Sequence, residues 1–201
     1  MIKIKAIVFD WGGVLIDNPA DGFMEHCSAA LGVSVDLLTK EFSDYEDRFQ
    51  KGLISESDFW KSVCKKHNLE EPITSLWRDA VNDIFNDRKE VYQLVDKLRE
   101  SGYVVGILSN TEMPVVDYFY DEGYDKYFDV KVFSCTEKTR KPGEKIYEIL
   151  LERLGTKPEE VIYIDDKIKY VDGAKGVGIE GILFEDYEGL VKELALRGVK
   201  I

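Results

Sequence analysis

The sequence predicts an α/β fold: a parallel sheet with helices on both faces, interrupted by a helical insert. Three observations carry this expectation. Five short apolar runs have the length and residue types of buried strands. The segments between the later runs repeat apolar residues at helical spacing. One interval, more than ninety residues long, is far longer than a crossover helix needs. Strands that alternate with helices form parallel sheets covered on both faces.

The strands read as residues 4–9 (IKAIVF), 103–108 (YVVGIL), 130–133 (VKVF), 161–164 (VIYI) and 181–184 (GILF). Before the second strand, Val91, Leu94, Val95 and Leu98 share one helical face. Ile146, Ile149, Leu150 and Leu154 do so before the fourth. Gly102 and Gly155 follow these helices, where a left-handed C-terminal residue is needed.

The long interval holds four amphipathic stripes. The first is Phe23, Cys27, Ala30 and Leu31; the second is Leu38, Phe42, Tyr45 and Phe49. The third is Phe59, Trp60 and Val63, with Ser55 as N-cap ahead of Asp58. The fourth is Ile73, Leu76, Trp77, Ala80, Val81, Ile84 and Phe85. Four such helices can form a small bundle of their own. The expected division is therefore a core of residues 1–17 and 88–201 and a helical cap of residues 18–87, seated over the end of the first strand.

Size and composition bound the function. The chain has 201 residues, 44% of them hydrophobic, enough for one core carrying a small insert. No apolar run approaches the ~20 residues of a spanning helix, and no signal-peptide pattern is seen, so the protein reads as cytoplasmic. Cys27, Cys64 and Cys135 form no CxxC pair and read as buried thiols. A net charge of −12 repels nucleic-acid phosphates and anionic membranes. A site for an anionic small molecule must then supply its own positive charge, from a metal ion and one or two lysines.

Ligands of open parallel sheets bind beyond the carboxyl ends of the strands. The residues there are Asp10-Trp11-Gly12-Gly13 after the first strand and Ser109-Asn110-Thr111 after the second. Thr139-Arg140-Lys141-Pro142 lies beyond the third, and Asp165-Asp166 follows the fourth. Each motif alone is an ordinary turn or cap. Together they bring two acidic clusters, a hydroxyl-amide pair and a lysine to one edge.

In this combination the chain resembles the haloacid dehalogenase-like hydrolases, the large superfamily of aspartyl-nucleophile phosphatases. The resemblance covers essentially the whole chain. It rests on Ile7-Val8-Phe9-Asp10-Trp11-Gly12-Gly13-Val14, Ile107-Leu108-Ser109-Asn110, Lys141-Pro142 with Ile146-Tyr147, and Tyr163-Ile164-Asp165-Asp166, in that order. It implies a Rossmann-like sheet of order 3-2-1-4-5 with a C1-type cap. It also implies a Mg²⁺-dependent phosphomonoester hydrolase acting on a small soluble phosphorylated metabolite, with sugar phosphates as one candidate class.

The same resemblance assigns roles. Asp10 is the nucleophile that forms an aspartyl phosphate. Mg²⁺ is held by Asp10, the Gly12 carbonyl and Asp166, with Asp165 acting through water. Lys141 holds the nucleophile and neutralises a phosphate oxygen. Ser109 donates its hydroxyl, and Asn110 and Trp11 complete the substrate cradle, Trp11 pointing toward the cap. Tyr45, Arg48, Trp60 and His67 are cap residues able to contact substrate, although apolar stripes, a helix end and the surface account for them equally well.

One position departs from the pattern. Most phosphatases of this family carry a second Asp two residues after the nucleophile, as general acid and base; this chain has Gly12. Two other readings follow. One is a 2-haloacid dehalogenase, which uses the same Asp nucleophile without metal. The other is a catalytically weakened phosphate-binding protein.

Overall fold

The computed structural model describes residues 3–201. Its sheet contains β1 (Ala6–Phe9), β2 (Val104–Ser109), β3 (Val130–Phe133), β4 (Val161–Asp165) and β5 (Glu180–Leu183). All pair in parallel, in the order β3-β2-β1-β4-β5. The strands fall within one or two residues of the runs read from the sequence. β1 is central and fully buried, as an apolar run flanked on both edges and covered on both faces must be.

Among the described residues ten α-helices surround or interrupt the sheet. The insert contributes α1 (Ala20–Leu31), α2 (Val35–Gln50), α3 (Glu56–His67) and α4 (Leu76–Ile84). α5 (Lys89–Glu100) leads into β2 and α6 (Met113–Asp121) leaves it. The short α7 (Ser134–Glu137) follows β3 and precedes α8 (Glu144–Leu154). α9 (Ile168–Gly176) links β4 to β5, and α10 (Tyr187–Leu196) closes the chain. None of these helices is long and apolar enough to cross a membrane. The three cysteines are buried and free.

Local chemistry explains the boundaries in the insert. Ser34, Ser55 and Ser75 each accept a backbone N–H as N-caps of α2, α3 and α4. Ser55 and Asp58 form the reciprocal capping box. Glu56, in the first turn of α3, accepts hydrogen bonds from the Trp77 backbone N–H, the Ser75 hydroxyl and the Trp60 indole. That one carboxylate fastens α3 to the start of α4.

Two details of the expected stripes are corrected. α4 begins at Leu76, and Ile73 is fully exposed before it. In α1 the buried face is Phe23, Met24, Cys27 and Ser28, whereas Ala30 is exposed. The helix is rotated so that Met24, not Ala30, faces inward.

The insert does not keep a core to itself. One apolar cluster runs from the sheet face, through Ile7 and Phe9, to Phe23, Phe59 and Trp77 of the insert. Aromatic rings continue this path: Trp77 stacks on Phe23, Phe23 meets Phe85, Phe85 meets Trp11, and Trp11 meets Phe119. The other sheet face has a separate cluster, built on Val8, Tyr163, Ile146 and Leu150.

The chain enters and leaves the insert side by side. The Asp17 N–H donates to the Asn86 carbonyl, and the Arg88 N–H donates to the Leu15 carbonyl. Asp17 also pairs with Arg88 at 3.3 Å, a link across this hinge. The entry and exit strands thus hold the insert above the carboxyl end of β1.

Candidate active site

Sheet register brings the acidic residues together. Phe9 is level with Ile107 of β2 and Ile164 of β4, so Asp10 emerges beside Leu108 and Asp165. The Asp10 N–H still donates to the Ile164 carbonyl, at 2.8 Å. Asp10, Asp165 and Asp166 can each bring one oxygen to within 4.8 Å of the others.

Lys141 lies beneath this group and is completely buried. Its Nζ is 2.9 Å from Asp10 Oδ1 and 2.8 Å from Asp165 Oδ2. It also donates to the Tyr163 hydroxyl at 2.7 Å and approaches the Leu108 carbonyl at 3.1 Å. An ammonium has three donors, and here four acceptors surround it. All three donors of Lys141 are therefore matched by protein acceptors, Asp10 and Asp165 among them.

Asp165 has a similar structural role. Its Oδ2 accepts from Lys141 and Tyr163, and its Oδ1 accepts from the Lys167 N–H. Both oxygens are used in holding Lys141 and the loop that follows β4. Asp166 differs: its Oδ1 is buried and has no partner within the protein.

Electrostatics follow from these counts. Burial opposes the charge on Lys141, but Asp10 and Asp165 outweigh it and keep the ammonium protonated. Burial raises the Asp10 carboxyl, Lys141 offsets part of this, and Asp165 adds to it. Asp166 is also raised, by burial first, with Lys167 pulling the other way and Asp165 adding to the rise. One buried lysine thus faces three carboxylates, so the cluster is short of positive charge. The orphaned Asp166 oxygen and this deficit fit a hard divalent cation, which prefers a few carboxylate oxygens.

Glycine is required at the turn. Gly13 has φ +84°, and a Cβ there would lie 2.4 Å from Asp166 Oδ2. Only a residue without a side chain lets the loop after β1 pass beneath the Asp166 carboxylate.

The motif after β2 is held from two sides. Asn110 Oδ1 accepts from the Lys141 N–H at 2.9 Å, and Asn110 Nδ2 donates to the Lys141 carbonyl at 3.0 Å. Its amide is therefore a strut to the lysine loop, although Asn110 also borders the cavity. The Thr111 N–H donates to Ser134 Oγ, at the start of α7. Ser109 is left lining the cavity beside Asp10.

The Trp11 ring packs against the insert and the core, and the residue also borders the cavity. Its side chain is 1% exposed, edge-on to Phe85, Phe119 and Tyr124. The indole N–H donates to the Tyr92 hydroxyl, and the backbone N–H donates to Asp10 Oδ1. The ring pins the loop after β1 to the insert and the core.

A cavity of about 480 Å³ opens between the sheet edge and the insert. Asp10, Gly12, Ser109, Asn110 and Lys167 form its floor; Met24, Phe42, Glu46, Gln50, Glu112 and Val115 are among its walls. None of Tyr45, Arg48, Trp60 and His67 lines it. Tyr45 packs on Phe59, Trp60 caps its indole on Glu56, Arg48 is exposed, and His67 pairs with Glu41. The α2 residues that do line it, Val35, Thr39, Phe42, Ser43, Glu46 and Gln50, follow helical spacing on a face beside the core stripe. That spacing was a usable signal.

Glu112 was also missed. It is 6% exposed, and burial raises its carboxyl to about 7, with Gln50 and Arg140 opposing and Glu46 adding to the rise. In sequence it looks like an ordinary acid before a helix.

The model of the haloacid dehalogenase-like hydrolase family matches residues 4–178. The chain belongs to this family. A phosphorylated carbohydrates phosphatase of Thermotoga maritima is 47% identical over 183 residues, covering 89% of this chain and 84% of the relative. The chain spans only 19% of another relative, acyl-CoA dehydrogenase family member 10 of Mus musculus, at 28% identity over 96% of this chain. Among solved structures, a magnesium complex of a family enzyme from Bacteroides thetaiotaomicron matches with a TM-score of 0.79 and 25% identity, covering 94% of this chain and 98% of that one. An L-2-haloacid dehalogenase from Xanthobacter autotrophicus shares the fold, with a TM-score of 0.65 at 21% identity over 98% of this chain and 85% of that one. This member of the family is thus a hydrolase with relatives named as phosphatases.

Proposed function

We propose that this hydrolase cleaves phosphate monoesters of small metabolites through an aspartyl phosphate on Asp10, with Mg²⁺ as cofactor. The observation that carries the reading is the carboxylate cluster itself: Asp10 is lodged on Lys141, beside a buried Asp166 oxygen that has no protein partner. Asp10, Asp166 and the Gly12 carbonyl would hold the cation. When bound, it offsets the charge of phosphate and carboxylates together.

The chain's own residues do the rest. Lys141 fixes one Asp10 oxygen and leaves the other free to attack phosphorus. Ser109 and the backbone after β2 receive phosphate oxygens at the cavity floor. The phosphorus–oxygen bond to the organic group breaks, and the released alkoxide takes a proton from solvent or from the substrate itself, since Gly12 provides none. Water then hydrolyses the acyl phosphate and restores Asp10. The helical insert acts as a cap that roofs the cavity and selects the organic group. The name of the Thermotoga relative supports carbohydrate phosphates as a substrate class.

A metal-free dehalogenase reading is weaker. It would set a carboxylate substrate beside three carboxylates and leave Asp166 Oδ1 without a role. The test is phosphate release from an aryl phosphate and a panel of sugar phosphates, with Mg²⁺ and with chelator, beside Asp10→Asn. Release that needs Mg²⁺ and is lost in Asp10→Asn supports the proposal. Release indifferent to chelator sinks the metal assignment.

A further inference from the structure

Two acidic residues stand on one wall of the cavity, away from any need of the chemistry above. Glu46 projects from α2 and Glu112 from the start of α6; both line the cavity, as does Gln50 at the end of α2. Arg140 pairs with Glu46 at 3.1 Å and lies 3.9 Å from Asp47, so its charge is committed to α2. Glu112 sits at the N-cap position of α6 but makes no side-chain cap bond, so helix capping does not explain its burial. A buried carboxyl with a second carboxylate nearby is costly to the fold, and such groups gather at functional sites. The neighbouring walls, Met24, Phe42 and Val115, are apolar.

Resting on the phosphatase reading, we infer that Glu112 and Glu46 form a charge filter: the substrate is a monophosphate whose organic part is neutral or cationic and partly apolar, with no second anionic group. The phosphate is the one anion the cavity accepts, at the Asp10 floor where Lys167 and a cation answer it. A second phosphate or a carboxylate on the organic part would meet Glu112 with the nearby Arg140 guanidinium already paired to Glu46. Neutral hydroxyls or an ammonium can donate to the two carboxyls, and Gln50 Oε1, buried without a partner, accepts a further hydrogen bond.

The filter also depends on pH. Below about 7 Glu112 keeps its proton and repels anions less; above it the charge appears. The groups facing it are Glu46 and Gln50 from α2, Arg140 from the loop before α8 and Cys135 from α7. Burial pushes the Cys135 thiol up to about 12, so it stays neutral.

The test is binding of three alkylphosphonates of equal chain length, ending in methyl, ammonium or carboxylate, measured by calorimetry with Mg²⁺. Phosphonates are not cleaved, so the result is independent of turnover; failure of the phosphatase reading shows separately, as absent phosphate release from every ester. The carboxylate-ended compound is expected to bind at least about tenfold more weakly than the other two at pH 8. The gap narrows at pH 6 and narrows in Glu112→Gln at pH 8. Glu46→Gln provides a second variant with the same expected direction. Equal binding of all three, no binding of any, or a gap untouched by either variant would overturn the inference.

Discussion

Asn110 and Lys141 are joined by a reciprocal pair of hydrogen bonds, amide oxygen to backbone N–H and amide N–H to backbone carbonyl. The pair ties the loop after β2 to the loop before α8, and so sets where the Lys141 ammonium meets Asp10. Asn110→Ala should lower kcat by roughly 10²-fold, the scale of a misplacement of about 1 Å. KM should change much less. Steady-state kinetics on an aryl phosphate would check this; an unchanged kcat would show that the strut does not govern the lysine.

Lys141 compensates two buried carboxylates. Lys141→Met removes that charge and is expected to destabilise the fold by about 3–5 kcal/mol, the cost of breaking a buried pair. The variant should recover stability as pH falls, because the raised Asp10 carboxyl can then be protonated. Urea denaturation at several pH values reads both effects. A loss that is the same at every pH would contradict the charge account.

Glu112 offers the opposite case. Its folded carboxyl is raised from 4.5 to about 7. Between those values the native state holds a proton that the unfolded chain has released, so stability falls as pH rises through this window. Glu112→Gln removes the penalty. It should be more stable than the parent at pH 8, by about 2–3 kcal/mol at most, with the advantage gone near pH 4. Parallel denaturation curves at pH 4 and pH 8 decide the matter.

At Gly13 both space and backbone forbid a side chain. Gly13→Ala should push Asp166 aside and cost about 1–3 kcal/mol from the left-handed conformation alone. Mg²⁺ affinity, followed by calorimetry, should drop with it. Retained affinity would mean that Asp166 is not a ligand.

A side chain at Gly12 would start in a tight but yielding position. A Cβ there comes 3.1 Å from Pro19 Cδ, a contact that small movement of the ring relieves. Gly12→Asp is expected to speed cleavage of esters with poor leaving groups by about 10-fold or more, within the range of general acid catalysis. Aryl phosphates with good leaving groups should gain little. Rates plotted against leaving-group pKa should be steep in the parent and flatter in the variant.

The sheet and its motifs were legible because they depend on short-range signals. Apolar runs, glycines and acidic turns marked the strands and their carboxyl ends. What could not be read was the direction of side chains fixed by distant segments. Trp11 adjoins Asp10 in sequence, but its ring is placed by Phe85, Phe119 and Tyr124. Lys141 carried the motif, but its enclosure by Leu108, Tyr163 and Asp165 depends on strand register. Glu112 became a cavity wall only because α2, some sixty residues earlier, packs beside it.

The aromatic path from Trp77 through Phe23 and Phe85 to Trp11 bears on how such proteins can be recombined. Exchanging the insert with that of a relative at residues 17 and 88 joins two close chain ends, which looks simple. The foreign helices would also have to present rings that fit Trp11 and Phe119, or the loop carrying Asp10 would lose its ballast. On the proposed reading, in which the insert selects the substrate, preference and the placement of Asp10 are inherited together, and a transplanted specificity needs the underside of its insert matched to the host.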